Sequence, residues 1–221
     1  MAAWCSPAAA PVVPLVAGLF AIPLELRDGR GIALTFDDGP HPEGTPEVLR
    51  QLDRAGVKAT FYLVGEQVER HPALAAEIIS AGHEAGIHGF RHTLLLRRTV
   101  RELRDDFDRA EAAIGEATGT ASRSYRPPYG VFSLAGLRLA RERWEPLLWS
   151  HWGRDWETRA TPSSIAARAT RGLRPGAVVL LHDSDAYSAA ESWRQTVAAL
   201  PAVLEAGAAT GEPFVTVSQS T

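Results

Sequence analysis

The stretch Ile32-Ala33-Leu34-Thr35-Phe36-Asp37-Asp38-Gly39-Pro40 decides how the rest of this chain is read. Its first five residues predict a buried strand. Two adjacent carboxylates end that strand, and Gly-Pro breaks it. Like charges side by side at a buried strand end are costly unless a cation neutralises them. Further along, His88-Gly89-Phe90-Arg91-His92 places two imidazoles at i and i+4. An aspartate with two imidazoles is a donor set suited to catalytic zinc, which keeps one position open. One carboxylate can then hold a metal while its neighbour acts as a base, which is the skeleton of a metal-dependent hydrolase.

Outward from that stretch, β-type runs alternate with helical patterns. Strands are predicted over 32–36, 59–64, 84–88, 124–126, 147–150, 177–181 and 214–217. Helices are predicted over 45–55, 72–81, 99–117, 163–172 and 192–206. The third is the clearest, with Val100, Leu103, Phe107 and Ile114 at helical spacing and a capping box from Thr99 to Glu102. Strands separated by helices, without hairpin signals, predict a parallel α/β architecture. Asp37, Asp38, His88, Arg126, Asp155 and His182 each fall at or just past the carboxyl end of a predicted strand. That is where a β/α barrel builds its active site.

Composition bounds the function. The chain has 221 residues, 45% hydrophobic and 22% charged, with a formal net charge of −3. This suits a single soluble domain. No basic run or stripe points to a nucleic-acid partner. The single cysteine, Cys5, lies outside every motif and receives no catalytic role. Residues 1–28 form an apolar N-terminal segment whose first 26 residues carry one charge, Glu25. This segment reads as a strap on the domain or the remnant of a signal or anchor, which leaves membrane association through it open. Residues 29–221 read as the catalytic domain.

Five segments resemble, in order, the motifs of the NodB-type polysaccharide deacetylases, carbohydrate esterase family four. They are TFDDGP at 35–40, HGFRH at 88–92, RPPYG at 126–130, GRDW at 153–156 and VLLHD at 179–183. The resemblance spans about residues 31–217. It implies an irregular (β/α) barrel of seven or eight parallel strands. It also implies removal of acetyl groups, mainly from N-acetylated sugars, with one divalent metal ion. That ion is expected to be zinc, with cobalt or nickel as alternatives. One departure stands out: Gly89 sits where the family's metal motif carries Ser or Thr, so the usual hydroxyl brace of this loop is missing.

The resemblance assigns roles to individual residues. Asp38, His88 and His92 correspond to metal ligands. Asp37 corresponds to the general base, and Arg126 to the arginine that keeps it ionised. His182 corresponds to the general acid, tethered by Asp155. The Tyr129 N–H, on a loop stiffened by Pro127 and Pro128, corresponds to an oxyanion donor. Trp156 and Leu180 correspond to apolar walls around the acetyl methyl, although core packing would equally suit them. Of Trp144, Trp149, Trp152 and Trp156, one or two are expected at the site. Asp183 reads as structural. Arg91, Arg97, Arg98, Arg101 and Arg104, balanced by Glu102, Asp105 and Asp106, read as a solvated helix face.

The expected function is therefore a metal-dependent sugar N-deacetylase acting on a cell-envelope glycan. An extracytoplasmic location follows from the substrate class, although the weak N-terminal signal leaves a cytoplasmic one open. An O-acetyl esterase or non-sugar amidase on the same machinery, and a non-catalytic glycan-binding protein, are the rivals. Substrate choice is expected to lie in loops 94–98 and 185–192.

Overall fold

The computed structural model describes residues 6–220; Cys5 and the rest of residues 1–5 lie outside it, as does Thr221. Its centre is β1 (Ala33–Asp37), all five residues of which are buried. A strand covered on both faces reads as a continuous apolar run, which is what a parallel sheet beneath helices requires. β2 (Thr60–Leu63), β3 (Glu84–Ile87), β4 (Ser124–Tyr125) and β5 (Glu145–Pro146) follow on one side. β7 (Val178–His182) and β6 (His151–Trp152) follow on the other. The order β5-β4-β3-β2-β1-β7-β6 is parallel throughout. The result is a curled (β/α) half-barrel whose seam lies between β5 and β6.

Helices wrap the outside: α1 (Pro14–Leu19), α2 (Gly44–Ala55), α3 (Gly65–Arg70), α4 (Pro72–Ser80), α5 (Val100–Thr118), α6 (Leu134–Arg141), α7 (Pro162–Ala169) and α8 (Ser192–Ala208). The capping box of α5 forms as the sequence predicts: Thr99 Oγ1 accepts from Glu102 N–H, and Glu102 Oε2 accepts from Thr99 N–H at 2.8 Å. Leu103, Phe107, Ala110 and Ile114 form its buried face. Among the described residues, no helix is long and apolar enough to cross a membrane.

Two predicted strands are corrected. Residues 147–150 are no strand; they cross the seam between β5 and β6. The carbonyls of Leu147 and Leu148 accept from the Arg126 guanidinium at 3.2 and 2.8 Å, so they are not available to a sheet ladder. Residues 214–217 contribute only one bridge, from Phe214 to Ile32, before a 3₁₀ turn begins at Val217. Helices α1, α3 and α6 were not expected from the sequence.

Residues 6–26 lie against the domain. Ala10, Ala17, Ile22 and Leu26 are buried in the core. Leu148 N–H donates to Pro23 O across the seam, and Leu26 N–H donates to Gly176 O. Arg141 donates to the carbonyls of Phe20 and Ala21 just beyond α1.

Candidate active site

The carboxyl ends of the strands bring most of the candidate residues to one cleft, with Arg126, Asp155 and Pro128 buried behind its wall. Asp37 ends β1, His88 follows β3, Arg126 follows β4 and His182 ends β7. Asp155 sits in the turn after β6. The cleft has a volume of about 220 Å³, and its lining includes Asp37, Asp38, His88, His92, Tyr129, Trp156, Leu180 and His182.

Arg126 is the largest fully buried side chain. Its Nη1 donates to Asp37 Oδ1 at 2.7 Å and to Thr35 Oγ1 at 2.8 Å. With the two seam carbonyls, this engages four of the five guanidinium N–H donors, and the group lies over the Tyr62 ring at 4.0 Å. A buried carboxylate with such a partner is fixed in direction.

Asp38 lies in a different environment. Its backbone is left-handed, at φ 78°, a region costly for a residue with a side chain and one that clusters at functional sites. Its Oδ1 lies 3.1 Å from His92 Nε2 and 3.4 Å from His88 Nε2, buried and without a hydrogen bond of good geometry. Burial works against ionisation here, but the imidazoles of His88 and His92 more than offset it, and the carboxyl is held well below the usual carboxylate range. His88 Nδ1 lies 2.8 Å from Arg126 O. As a donor there, it leaves the Nε2 lone pair facing Asp38. One oxygen and two imidazole nitrogens therefore converge within 4.8 Å. A buried orphan oxygen beside the His88 lone pair and the His92 Nε2 atom fits a divalent ion of zinc's preference.

The loop carrying the histidines is braced from elsewhere. Gly89 takes φ +85°, and a Cβ there would lie 3.2 Å from Asp106 Oδ2. The Asp106 carboxylate, on α5, accepts the backbone N–H of Phe90 at 2.8 Å and of Arg91 at 3.2 Å. Arg98 holds it in turn at 3.3 Å. Asp106, expected on a solvated helix face, instead braces this loop from α5. His92 is also flanked by two rings. Tyr187 stacks on it with centroids 4.3 Å apart, and Tyr129 meets it edge-on at 4.4 Å. Tyr187 OH donates to Glu66 Oε1 at 2.6 Å and accepts from Gln67 at 3.0 Å. No local pattern marked Tyr187, although it lies in the loop 185–192 singled out for selectivity.

Across the cleft, His182 Nδ1 meets Asp155 Oδ1 at 2.9 Å. Asp155 Oδ2 accepts from His182 N–H and from Thr196, each at 2.7 Å. Burial alone would lower the imidazole's pKa. The nearby Asp155, with Asp38 and Asp37 beyond it, outweighs burial and pushes it up to about 10. Its Nε2 points toward the trio, 3.9 Å from Asp38 Oδ2. Behind the pair, buried Asp183 accepts from Thr45 beneath the Gly39 loop; burial raises its pKa to about 7.

Tyr129 also has left-handed backbone, at φ 60°, and a half-exposed ring. Pro128 precedes it, and Gly130 packs so tightly on Trp149 that a Cβ there would come within 2.4 Å of the indole. Among the described residues, no acceptor takes the Tyr129 N–H. Trp156 stands edge-on to His182 at 5.3 Å; Trp152 and Trp149 continue the row, with centroids 5.5 and 5.7 Å apart.

A family model described as polysaccharide deacetylase matches residues 26–142. A peptidoglycan-N-acetylglucosamine deacetylase of Bacillus cereus is 35% identical over 191 residues, 85% of this chain and 86% of the relative. The peptidoglycan-N-acetylglucosamine deacetylase PgdA of Listeria monocytogenes is 32% identical over 194 residues, 87% of this chain; the chain spans 39% of that relative's length. The crystal structure of the Bc1960 peptidoglycan N-acetylglucosamine deacetylase matches with a TM-score of 0.84 at 28% identity, covering 92% of this chain and 95% of its own.

Proposed function

The chain belongs to the polysaccharide deacetylase family, and from that premise we propose that it hydrolyses N-acetyl groups on an N-acetylglucosamine-type glycan of the cell envelope, outside the cytoplasm. The observation that carries this reading is the placement, around one cleft, of a three-donor cluster between an Arg-held aspartate and an Asp-held histidine.

Asp38 and the Nε2 atoms of His88 and His92 would hold one divalent ion, zinc by the donor set. Bound there, it supplies a Lewis acid that acidifies water and polarises the acetamide carbonyl. Asp37 accepts the proton of the attacking water through the carboxylate that Arg126 fixes in direction. The Tyr129 N–H, fixed by its proline-stiffened loop, donates to the oxyanion as the water oxygen bonds the carbonyl carbon. His182, cationic because of Asp155, protonates the amide nitrogen as the C–N bond breaks. Acetate and a free amine result. Leu180 and Trp156 wall the acetyl methyl and exclude water, and Pro128 shapes the donor loop.

Acetate release from N-acetylglucosamine oligomers, peptidoglycan fragments, acetylated xylan and an aryl acetate tests this. It would be followed with added zinc, after chelation, and in Asp37→Asn. Chelator-sensitive release that needs Asp37 and favours the N-acetyl glycans is expected. Release confined to xylan and the aryl acetate would make the chain an esterase and overturn the reading.

A further inference from the structure

The two imidazoles of the three-donor cluster are held in different ways. His88 Nδ1 lies 2.8 Å from the Arg126 carbonyl, the arrangement usual for a metal-binding histidine, whose second ring nitrogen donates to an acceptor. His92 Nδ1 is buried and has no hydrogen-bond partner among the described residues. The direction of its Nε2 is therefore set by packing. Tyr187 lies nearly flat on the His92 ring, with centroids 4.3 Å apart and planes within 13°; Tyr129 meets the ring edge-on. Tyr187 is anchored by the same element that anchors the histidine loop. At the start of α3, Gly65 N–H donates to Gly89 O at 3.0 Å and Glu66 N–H donates to Phe90 O at 2.9 Å. The Glu66 carboxylate accepts the Tyr187 hydroxyl, which itself accepts from Gln67. The loop that carries Tyr187 is also closed at its base: Asp185 pairs with His41 at 3.2 Å and accepts Glu191 N–H at 2.6 Å. Both rings thus hang from one turn of α3.

Building on the deacetylase reading and its ligand set, we propose that Tyr187 is a positioning residue: its ring takes the place of the missing hydrogen bond and aims His92 Nε2 at the ion site. The χ2 torsion of a histidine is intrinsically broad. A ring lying flat on the imidazole narrows it, because rotation would drive the imidazole edge into the ring face. An aliphatic side chain in the same place offers no such plane.

The test measures zinc affinity by competition with a chromophoric chelator, and the visible bands of the cobalt-loaded protein, in wild type, Tyr187→Leu and Tyr187→Phe. Leucine keeps an apolar side chain without a ring; phenylalanine keeps the ring without its anchor. Zinc affinity should fall about tenfold in Tyr187→Leu, within the range for partners that orient metal ligands, and the cobalt bands should change. Tyr187→Phe should recover most of the affinity and return the bands toward wild type. Unchanged zinc affinity in Tyr187→Leu overturns the proposal whatever happens to turnover, and leaves Tyr187 as a wall of the cleft. A loss that phenylalanine does not recover, or one accompanied by wild-type cobalt bands, overturns it as well, since the ring would then not be what aims His92. Failure of wild type to bind either ion overturns it together with the ligand set. Acetate release judges the deacetylase reading separately: a wild type whose zinc binding depends on Tyr187 in this way, but which releases no acetate, keeps the positioning role and sinks the chemistry.

Discussion

Asp37 and Asp38 are neighbours in sequence and opposites in environment. Asp37 closes a regular strand and has a cation 2.7 Å from Oδ1. Asp38 sits one residue later in left-handed backbone, with a buried oxygen facing two imidazoles. The same division runs through the cleft. One half, Arg126 with Asp37 and His182 with Asp155, is completed by the protein's own hydrogen bonds. The other half, Asp38 with His88 and His92, is oriented by its surroundings but not paired by them. The first half is thus written into the stability of the fold, and the second into its affinity for an ion. Substitutions can break the two apart.

The largest effect is expected from Arg126. Removing one member of a buried pair leaves an uncompensated charge and costs about 3–5 kcal/mol. Arg126→Leu should therefore unfold far below wild type in a denaturant titration run with chelator, where ion binding adds nothing. It also strands the carbonyls of Leu147 and Leu148. Arg126→Lys restores the charge but not the fork, and should recover only part of the loss. Full recovery would show that charge alone closes the seam.

His182 tests the same half through rate. His182→Ala should lose roughly 10²–10⁴-fold in turnover, with ion affinity nearly unchanged; unchanged turnover would remove it as the acid. Because it acts while protonated, activity should fall as pH rises through its pKa. Asp155→Asn should move that alkaline limb to lower pH, and a fixed limb would detach Asp155 from the role. The stability sign agrees. The pKa is raised from 6.5 to about 10 by folding, so the contribution is complete below about 6.5 and is lost as pH rises toward 10.

These two halves were not equally legible in the sequence. Strand ends were, because an apolar run followed by carboxylates and Gly-Pro fixes where β1 stops, and the other motifs repeat that arrangement. Residues 147–150 read as a strand because an apolar run with tryptophan looks like one whatever its carbonyls bond. Their partner is a guanidinium from residue 126, which no local window contains. Helix α3 is six residues long, too short for periodicity to show. Tyr187 reaches His92 from the far side of the cleft, and its neighbours Gln67 and Glu66 are over a hundred residues away in sequence. Asp106 carries no signal of its own beyond the missing hydroxyl at position 89, which indicated that a brace was needed but not where it came from.

The unpaired half should respond to Asp106. Removing a partner that orients metal ligands typically lowers affinity about 10–100-fold. Asp106→Ala should do so in a competition titration against a chromophoric chelator, while the unfolding midpoint of the chelated protein shifts little. A large loss of stability with unchanged affinity would instead make Asp106 a helix-packing residue.

The smallest and sharpest test is Gly89→Ser, which returns the hydroxyl that related metal motifs carry. In this chain it should not help. The backbone at position 89 is left-handed, which costs a side chain about 1–2 kcal/mol. The new Cβ would also crowd Asp106 Oδ2 at 3.2 Å and Arg91 O at 3.3 Å. Ion affinity should fall by about tenfold. The crowding involves the very carboxylate that braces the loop, so the two changes should not add. In the Asp106→Ala background the serine has room, and its hydroxyl can reach the N–H groups that Asp106 released. Its penalty there should shrink or reverse. Strict additivity would mean that the hydroxyl and the carboxylate act on different parts of the loop, and that the Asp38 half of the cleft is held by something other than Asp106.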